Sequence, residues 1–203
     1  ALLPPPELPF ALFDTPHYGL WFKPVNVLSQ ASPSGDLSSM ERLVADIRGG
    51  GPLHMVNRVD REASGIVAVA YHPEAAARLS AIWKADGVEK IYQLEVRGAP
   101  SSEEGVISRP LDGRRAVTRW SCAGWAKEGR TTFVRARIET GRHHQIRRHF
   151  AAIGHPVMGD PRYGEDNADP RGLRLVSSEV RFICPYSRQE VHVTVPAERL
   201  LFG

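Results

Sequence analysis

Asn57-Arg58-Val59-Asp60-Arg61-Glu62-Ala63-Ser64-Gly65 sits immediately before an apolar run, and its centre is a carboxylate with an arginine two residues before it and another directly after. Flanking cations favour the ionised form of a carboxylate, which would lower the pKa of Asp60 and keep it available as a nucleophile or base. Loops at strand ends are also where sites are commonly built. Such a run is more often a surface salt-bridge cluster, which contributes little to stability and nothing to chemistry. Spacing alone does not decide between the two.

A second constellation is Glu139-Thr140-Gly141-Arg142-His143-His144-Gln145-Ile146-Arg147-Arg148-His149, where a strand gives way to a helix. The first turn of such a helix can offer backbone N–H groups and several cations to a phosphate. On a helical wheel Arg147 and His143 flank the apolar stripe and Arg148 points away. Arg147 is thus set to reach into a pocket at the helix edge, and Arg148 to stay solvated and available to a phosphate backbone. The histidines do not suggest a metal, because His144 and His149 are off one face and no His-Glu-x-x-His pattern or nearby cysteine pair supports one. The third piece is Lys90-Ile91-Tyr92, with Tyr92 on the same strand face as Leu94 and Val96. It reads either as an aromatic that stacks on a nucleobase or as a core tyrosine with a satisfied hydroxyl.

The elements that must position these residues follow from periodicity. Residues 1–16, with Pro4, Pro5, Pro6, Pro9 and Pro16, predict an extended arm outside helix and sheet. Gly19–Phe22 predicts a short strand running into Lys23-Pro24, followed by a Ser/Pro/Gly loop over 29–36. Ser38 and Glu41 form a capping box whose helix must stop before Gly49-Gly50-Gly51. Gly65–Ala70 is an apolar strand, and a second helix begins at Pro73 with Ala76, Leu79, Ile82 and Trp83 on one stripe before Asp86-Gly87. Lys90–Arg97 and Thr131–Glu139 alternate with period two. Arg142–Ile153 returns to helical spacing, with Ile146, Phe150 and Ile153 on one stripe and Gly154 past the end. Val180–Ile183 and Val191–Val195 make a late hairpin. Strands outnumber helices without alternating strictly with them, so the class is α+β with a largely antiparallel sheet. Neither an internal repeat nor a linker after residue 16 is visible.

The 203 residues suffice for one sizeable domain or two small ones, with 42% hydrophobic and 24% charged residues, an ordinary globular composition. No apolar run approaches the roughly 18 residues of a membrane-spanning helix, and the first residues lack a signal pattern, which suggests a soluble, cytoplasmic protein. Cys122 and Cys184 are too few and too far apart for a disulfide framework or zinc knuckle. The net charge of +3 conceals an uneven distribution: positions 106–150 hold eleven Lys/Arg, ten of them arginine, against three acids, so the remainder is acidic. Such a segment suggests a polyanion partner or, more plainly, a solvated basic face.

Taken in order along the chain, these motifs resemble the catalytic domain of the RluA family of RNA pseudouridine synthases, over Leu20 to Pro196. Family members carry His-Arg-Leu-Asp-x-x-Thr-Ser-Gly, Lys-x-Tyr, and Thr-Gly-Arg-x-His-Gln-Ile-Arg-x-His followed by Gly-His-Pro and Gly-Asp-x-x-Tyr-Gly. This chain has the segment 57–65, Lys90-Ile91-Tyr92, Thr140 to His149, Gly154-His155-Pro156 and Gly159-Asp160-Pro161-Arg162-Tyr163-Gly164. Lys23-Pro24 and Ala116-x-Thr118-x-Trp120 agree with shorter family matches. Three positions depart: Asn57 stands where the family usually has His, Val59 where Leu is usual, and Ala63, which lacks a hydroxyl that could pin the loop, where Thr is usual.

The resemblance implies a pseudouridine synthase fold, α+β with a central, mostly antiparallel mixed sheet, flanking helices and a basic active-site cleft. It implies a proline-rich arm over 1–16 and a catalytic domain over 17–203, without the S4-type RNA-binding domain that many relatives carry. By resemblance Asp60 is catalytic in converting uridine to pseudouridine, Arg147 pairs with it, Tyr92 stacks on the target base, Ile146 lines the pocket, and Arg58 fills the space left by a flipped-out uridine. The isomerisation needs neither cofactor nor metal. The implied partner is structured RNA, ribosomal or transfer, bound by a monomer with affinity that falls steeply with salt. Two other classes remain: an RNA-binding protein without turnover, and a glycosidic-bond hydrolase, which would need a second carboxylate such as Glu62.

Overall fold

In the computed structural model, residues 7–30, 39–85, 87–126 and 130–203 are described. They form two compact units, one of residues 1–88 with 180–195 and one of residues 89–179 with 196–203. Each has its own antiparallel ladders, and α+β is the class of both.

In the first unit, strands β1 (Phe10–Asp14), β2 (Tyr18–Lys23) and β4 (Ser64–Ala70) are neighbours in that order, and the short β3 (His54–Met55) also pairs with β4. Every residue of β2 and β4 is buried, which explains why both read as continuous apolar runs rather than alternating ones. β1 corrects the reading of residues 1–16 as an arm outside the sheet. Phe10–Asp14 pairs with β2 through a bulge between Ala11 and Phe13, and the Phe10 ring stacks on Phe22 at 5.1 Å. Pro9 and Pro16 flank the strand rather than interrupt it, and Pro4 to Pro6 lie outside the described residues.

Helix α1 (Met40–Ile47) is capped by Ser39, whose side chain accepts from the Arg42 N–H, one residue beyond the predicted cap; Ser38 lies outside the described residues. Helix α2 (Pro73–Lys84) starts at the predicted proline, with His72 as its cap. The pairing of β2 with β4 sets Lys23 opposite Gly65, so the end of β2 lies at the exit of the segment that carries Asp60.

In the second unit the strand order is β5 (Val88–Arg97), β8 (Thr131–Ile138), β7 (Thr118–Ala126), β6 (Glu104–Ile107). The period-two reading of β5 and β8 holds: Leu94, Val96, Val134 and Ala136 are fully buried on one face. β7 bulges between Cys122 and Gly124. Helix α3 (Gln145–Ala152) contributes Phe150, whose ring lies 6.0 Å from Trp120.

α3 begins three residues later than helical spacing predicted. His144 sits in the left-handed region at φ +51, which stops the helix from extending backwards. The Gln145 carboxamide ties the loop before the helix: its Oε1 accepts from the Thr140 hydroxyl at 2.7 Å and the Arg142 N–H at 3.1 Å, and its Nε2 donates to the Val117 carbonyl at 2.9 Å. Strand β9 (Leu175–Ile183) passes from the second unit to the first, where β10 (Glu190–Thr194) pairs with it.

Candidate active site

In the first unit the Asp60 segment is a loop whose backbone is pinned from below. The Lys23 side chain is fully buried at 0% exposure, and its Nζ donates to the carbonyls of Pro24 at 2.9 Å, Val27 at 2.8 Å and Arg61 at 3.3 Å. Three acceptors use all three N–H bonds of an ammonium. Burial pushes this lysine down to about 7, while the charges of Asp60 and Glu62 pull the other way. Asn26, at φ +64, donates its N–H to the Arg61 carbonyl at 2.7 Å.

Ser29 closes the loop on its other side. Its hydroxyl donates to the Val59 carbonyl at 2.7 Å and accepts from the Val59 N–H at 3.0 Å. Asn57, where the family usually has histidine, uses Oδ1 to accept from the Ala68 N–H at 2.7 Å and so extends the ladder of β4 by one rung. Ala63 is 1% exposed; the loop is pinned without the hydroxyl that position usually carries, through the Ala63 N–H donating to the Asp60 carbonyl at 3.1 Å. Asp60 is half-buried and Arg58 exposed. A carboxylate on a loop whose backbone is pinned by a buried lysine and a serine is held in a fixed place for chemistry.

In the second unit, Tyr92 stands opposite Ala136 and is half-buried, unlike the fully buried Leu94 and Val96 on the same face. Ile146 is 5% exposed in the first turn of α3. Arg147 is fully enclosed, and its Nε and Nη2 donate at 2.8 Å each to the two carboxylate oxygens of Asp160. The Tyr163 ring lies 5.4 Å from its guanidinium carbon, and the Tyr163 hydroxyl meets Nδ1 of His144 at 3.0 Å.

Burial alone would raise the Asp160 carboxyl, but hydrogen bonds from Arg147 and from the N–H groups of Arg162 and Tyr163 hold it below the usual carboxylate range. His149 is enclosed too. Its Nε2 donates to the Arg109 carbonyl, so Nδ1 is the ring position that accepts from the Thr118 hydroxyl, each at 2.9 Å, and burial lowers its pKa.

The basic segment is less free than its composition implied. Arg148 was expected to be solvated; instead it forms a two-bond pair with Asp112 at 2.8 and 3.0 Å. Asp112 and Gly113 occupy the two positive-φ positions of a tight turn closed by reciprocal Leu111 and Arg114 backbone bonds, a form that asparagine, aspartate and glycine favour. Arg115 and Arg119 both meet Glu139, Arg135 meets Glu179, and Arg137 meets Glu89. Two of those acids lie outside positions 106–150, so a local count could not see the neutralisation.

The sequence reading named Asp60, Arg58, Tyr92, Ile146 and Arg147; the first unit holds Asp60 and Arg58, and the second holds Tyr92, Ile146 and Arg147. It did not assign roles to Lys23, Ser29, Gln145 or Asp160. Lys23 and Asp160 stood inside quoted motifs, the only signal available, whereas nothing in the Ser/Pro/Gly loop marked Ser29.

Residues 17–152 match the family described as RNA pseudouridylate synthase. A Bacillus subtilis (strain 168) protein named uncharacterized RNA pseudouridine synthase YjbO is 33% identical over 160 residues, covering 71% of this chain and 55% of that one. The dual-specificity RNA pseudouridine synthase RluA of Vibrio parahaemolyticus is 31% identical over 166 residues, covering 72% of this chain and 66% of that one. The chain thus spans about half to two thirds of the length of the curated relatives it matches. Among solved structures, human RNA pseudouridylate synthase domain containing 1 superposes with a TM-score of 0.79 at 22% identity, covering 96% of this chain and 86% of that one, a likeness of fold.

Proposed function

The chain belongs to the RNA pseudouridylate synthase family, and on that premise we propose that it converts uridine to pseudouridine in structured RNA, with Asp60 as the catalytic residue. The observation that carries this reading is the Asp60 loop itself, an aspartate held at a strand entry by side chains committed to its backbone. In the reaction the N1–C1′ bond of the nucleotide breaks, the uracil turns, C5 bonds to C1′, and the C5 proton leaves as N1 gains one. Attack on C1′ and removal of a ribose proton both require an ionised carboxylate, so Asp60 serves either route.

Arg147 acts as the cation for that carboxylate, Tyr92 as the stacking aromatic, Ile146 as an apolar wall, and Arg58 as the side chain that takes the space of the extruded base. Extrusion costs a few kcal/mol of unstacking, supplied by contacts to the flipped nucleotide. The substrate is a ribosomal or transfer RNA stem-loop, recognised in part by exposed arginines of the second unit. The test is tritium release from RNA labelled at uridine C5: the protein releases it and Asp60→Asn does not. Equal release by the variant, or free uracil as product, removes the reading.

A further inference from the structure

Two consecutive histidines lead into helix α3, and their rings are stacked with centroids 3.7 Å apart and planes 24° from parallel. Adjacent side chains diverge on a regular strand or helix, and this pair meets where His144 turns the chain at φ +51.

The inner ring of the pair is braced. Nδ1 of His144 meets the Tyr163 hydroxyl at 3.0 Å, and the Tyr163 ring stands edge-on to it at 5.5 Å. Tyr163 is held in turn by Asn167, whose Nδ2 donates to the Tyr163 carbonyl at 3.2 Å. On the other side of the pair, the Arg142 N–H donates to Oε1 of Gln145 at 3.1 Å and the Arg142 Nε donates to the Arg115 carbonyl at 3.0 Å. His143 thus stands between two tethered neighbours and is the exposed member of the pair. Among the described residues its ring stacks on His144 and on no other.

An exposed flat ring with a second ring fixed behind it offers a π-face at little cost in rotamer freedom. That is the chemistry of a base-stacking surface for unpaired RNA, in which histidine serves alongside tyrosine, phenylalanine and tryptophan. Arg142, next to it in the chain, supplies a cation, which suits a nucleotide better than an apolar partner.

We propose that His143 is a platform on which an unpaired base of the RNA substrate stacks. The role deepens the function proposed above and rests on it for its partner, RNA. It concerns the holding of the RNA and not the bond-breaking step.

The test is equilibrium binding, at several salt concentrations, of a short single-stranded oligo(C) RNA and of a duplex RNA of the same length, whose bases are already stacked on one another. His143→Ala should weaken oligo(C) binding about 5–100-fold and duplex binding less than about twofold. The slope of log affinity against log salt should not change, because no phosphate contact is lost. His143→Phe, which keeps a flat ring without a charge, should bind oligo(C) within about threefold of the wild type. In the unaltered protein the ring protons of His143 should move upfield in 1H NMR when oligo(C) is added.

Equal losses in the Phe and Ala variants, or a salt slope reduced by about 0.7 in His143→Ala, would identify a charged contact to phosphate and overturn the proposal. If the variants do not fold, the wild-type ring signals decide: unmoved ones overturn the platform and upfield ones support it. Failure of the wild type to bind oligo(C) overturns it whatever tritium release shows. Absence of tritium release with the oligo(C) effects intact strikes the functional reading and leaves the platform standing.

Discussion

The Asp60 loop is held through its main chain: one ammonium, one hydroxyl and one amide are all committed to backbone groups around it, and Asp60 itself stays half-buried. Arg147 is held through its side chain, a buried cation locked onto a buried carboxylate. The first arrangement fixes where a chain segment runs. The second fixes the orientation of one side chain and makes the fold depend on a charge being matched. Removing a support should therefore have different consequences in the two regions, because unpaired carbonyls are neutral and an unpaired buried guanidinium is not.

The largest effect is expected from Asp160→Leu, which leaves Arg147 uncompensated and should lower stability by about 3–5 kcal/mol in urea unfolding. Lys23→Met should cost less, about 1–3 kcal/mol, since the groups it strands are three carbonyls. The reverse order would break the contrast. Lys23 also carries a pH signature. Its folded value of about 7 lies below the ordinary lysine value of about 10.4, so the unfolded chain binds the extra proton between them. Wild-type stability relative to Lys23→Met should rise as pH increases across that window, which unfolding curves at several pH values would read.

Ser29→Ala removes both bonds to Val59 and should cost about 1 kcal/mol while lowering turnover more than RNA affinity. Smallest is His149→Gln. The folded ring takes a proton less readily than the unfolded one, so its contribution is full above about pH 6.5 and is lost as pH falls below it. The variant should show a flatter decline of stability with acid, checked by thermal melts.

The contrast also explains what could be read in advance. Asp60, Tyr92, Ile146 and Arg147 stood in ordered motifs, and the strands around them followed simple periodicity. Lys23 did not reveal its depth, because lysines are almost never fully buried unless paired, and its partners are carbonyls that no sequence displays. The role of Asp160 depended on a chain reversal that brings it back to a residue thirteen positions earlier. The start of α3 was misplaced because a histidine adopts the left-handed region, a choice that residue type disfavours without forbidding. β1 was hidden by the prolines that flank it.

The pairing of the arginines in the second unit bears on how RNA binding would respond to ions. An arginine already matched to Glu139, Glu179, Glu89 or Asp112 presents a dipole rather than a bare charge, and docking it displaces fewer condensed counterions from the nucleic acid. Arg109 and Arg142 form no ion pair with a carboxylate among the described residues, and the Arg142 Nε donates to the Arg115 carbonyl at 3.0 Å instead. The slope of log affinity against log salt should accordingly report the few unmatched cations, and fall well short of the eleven that the segment contains.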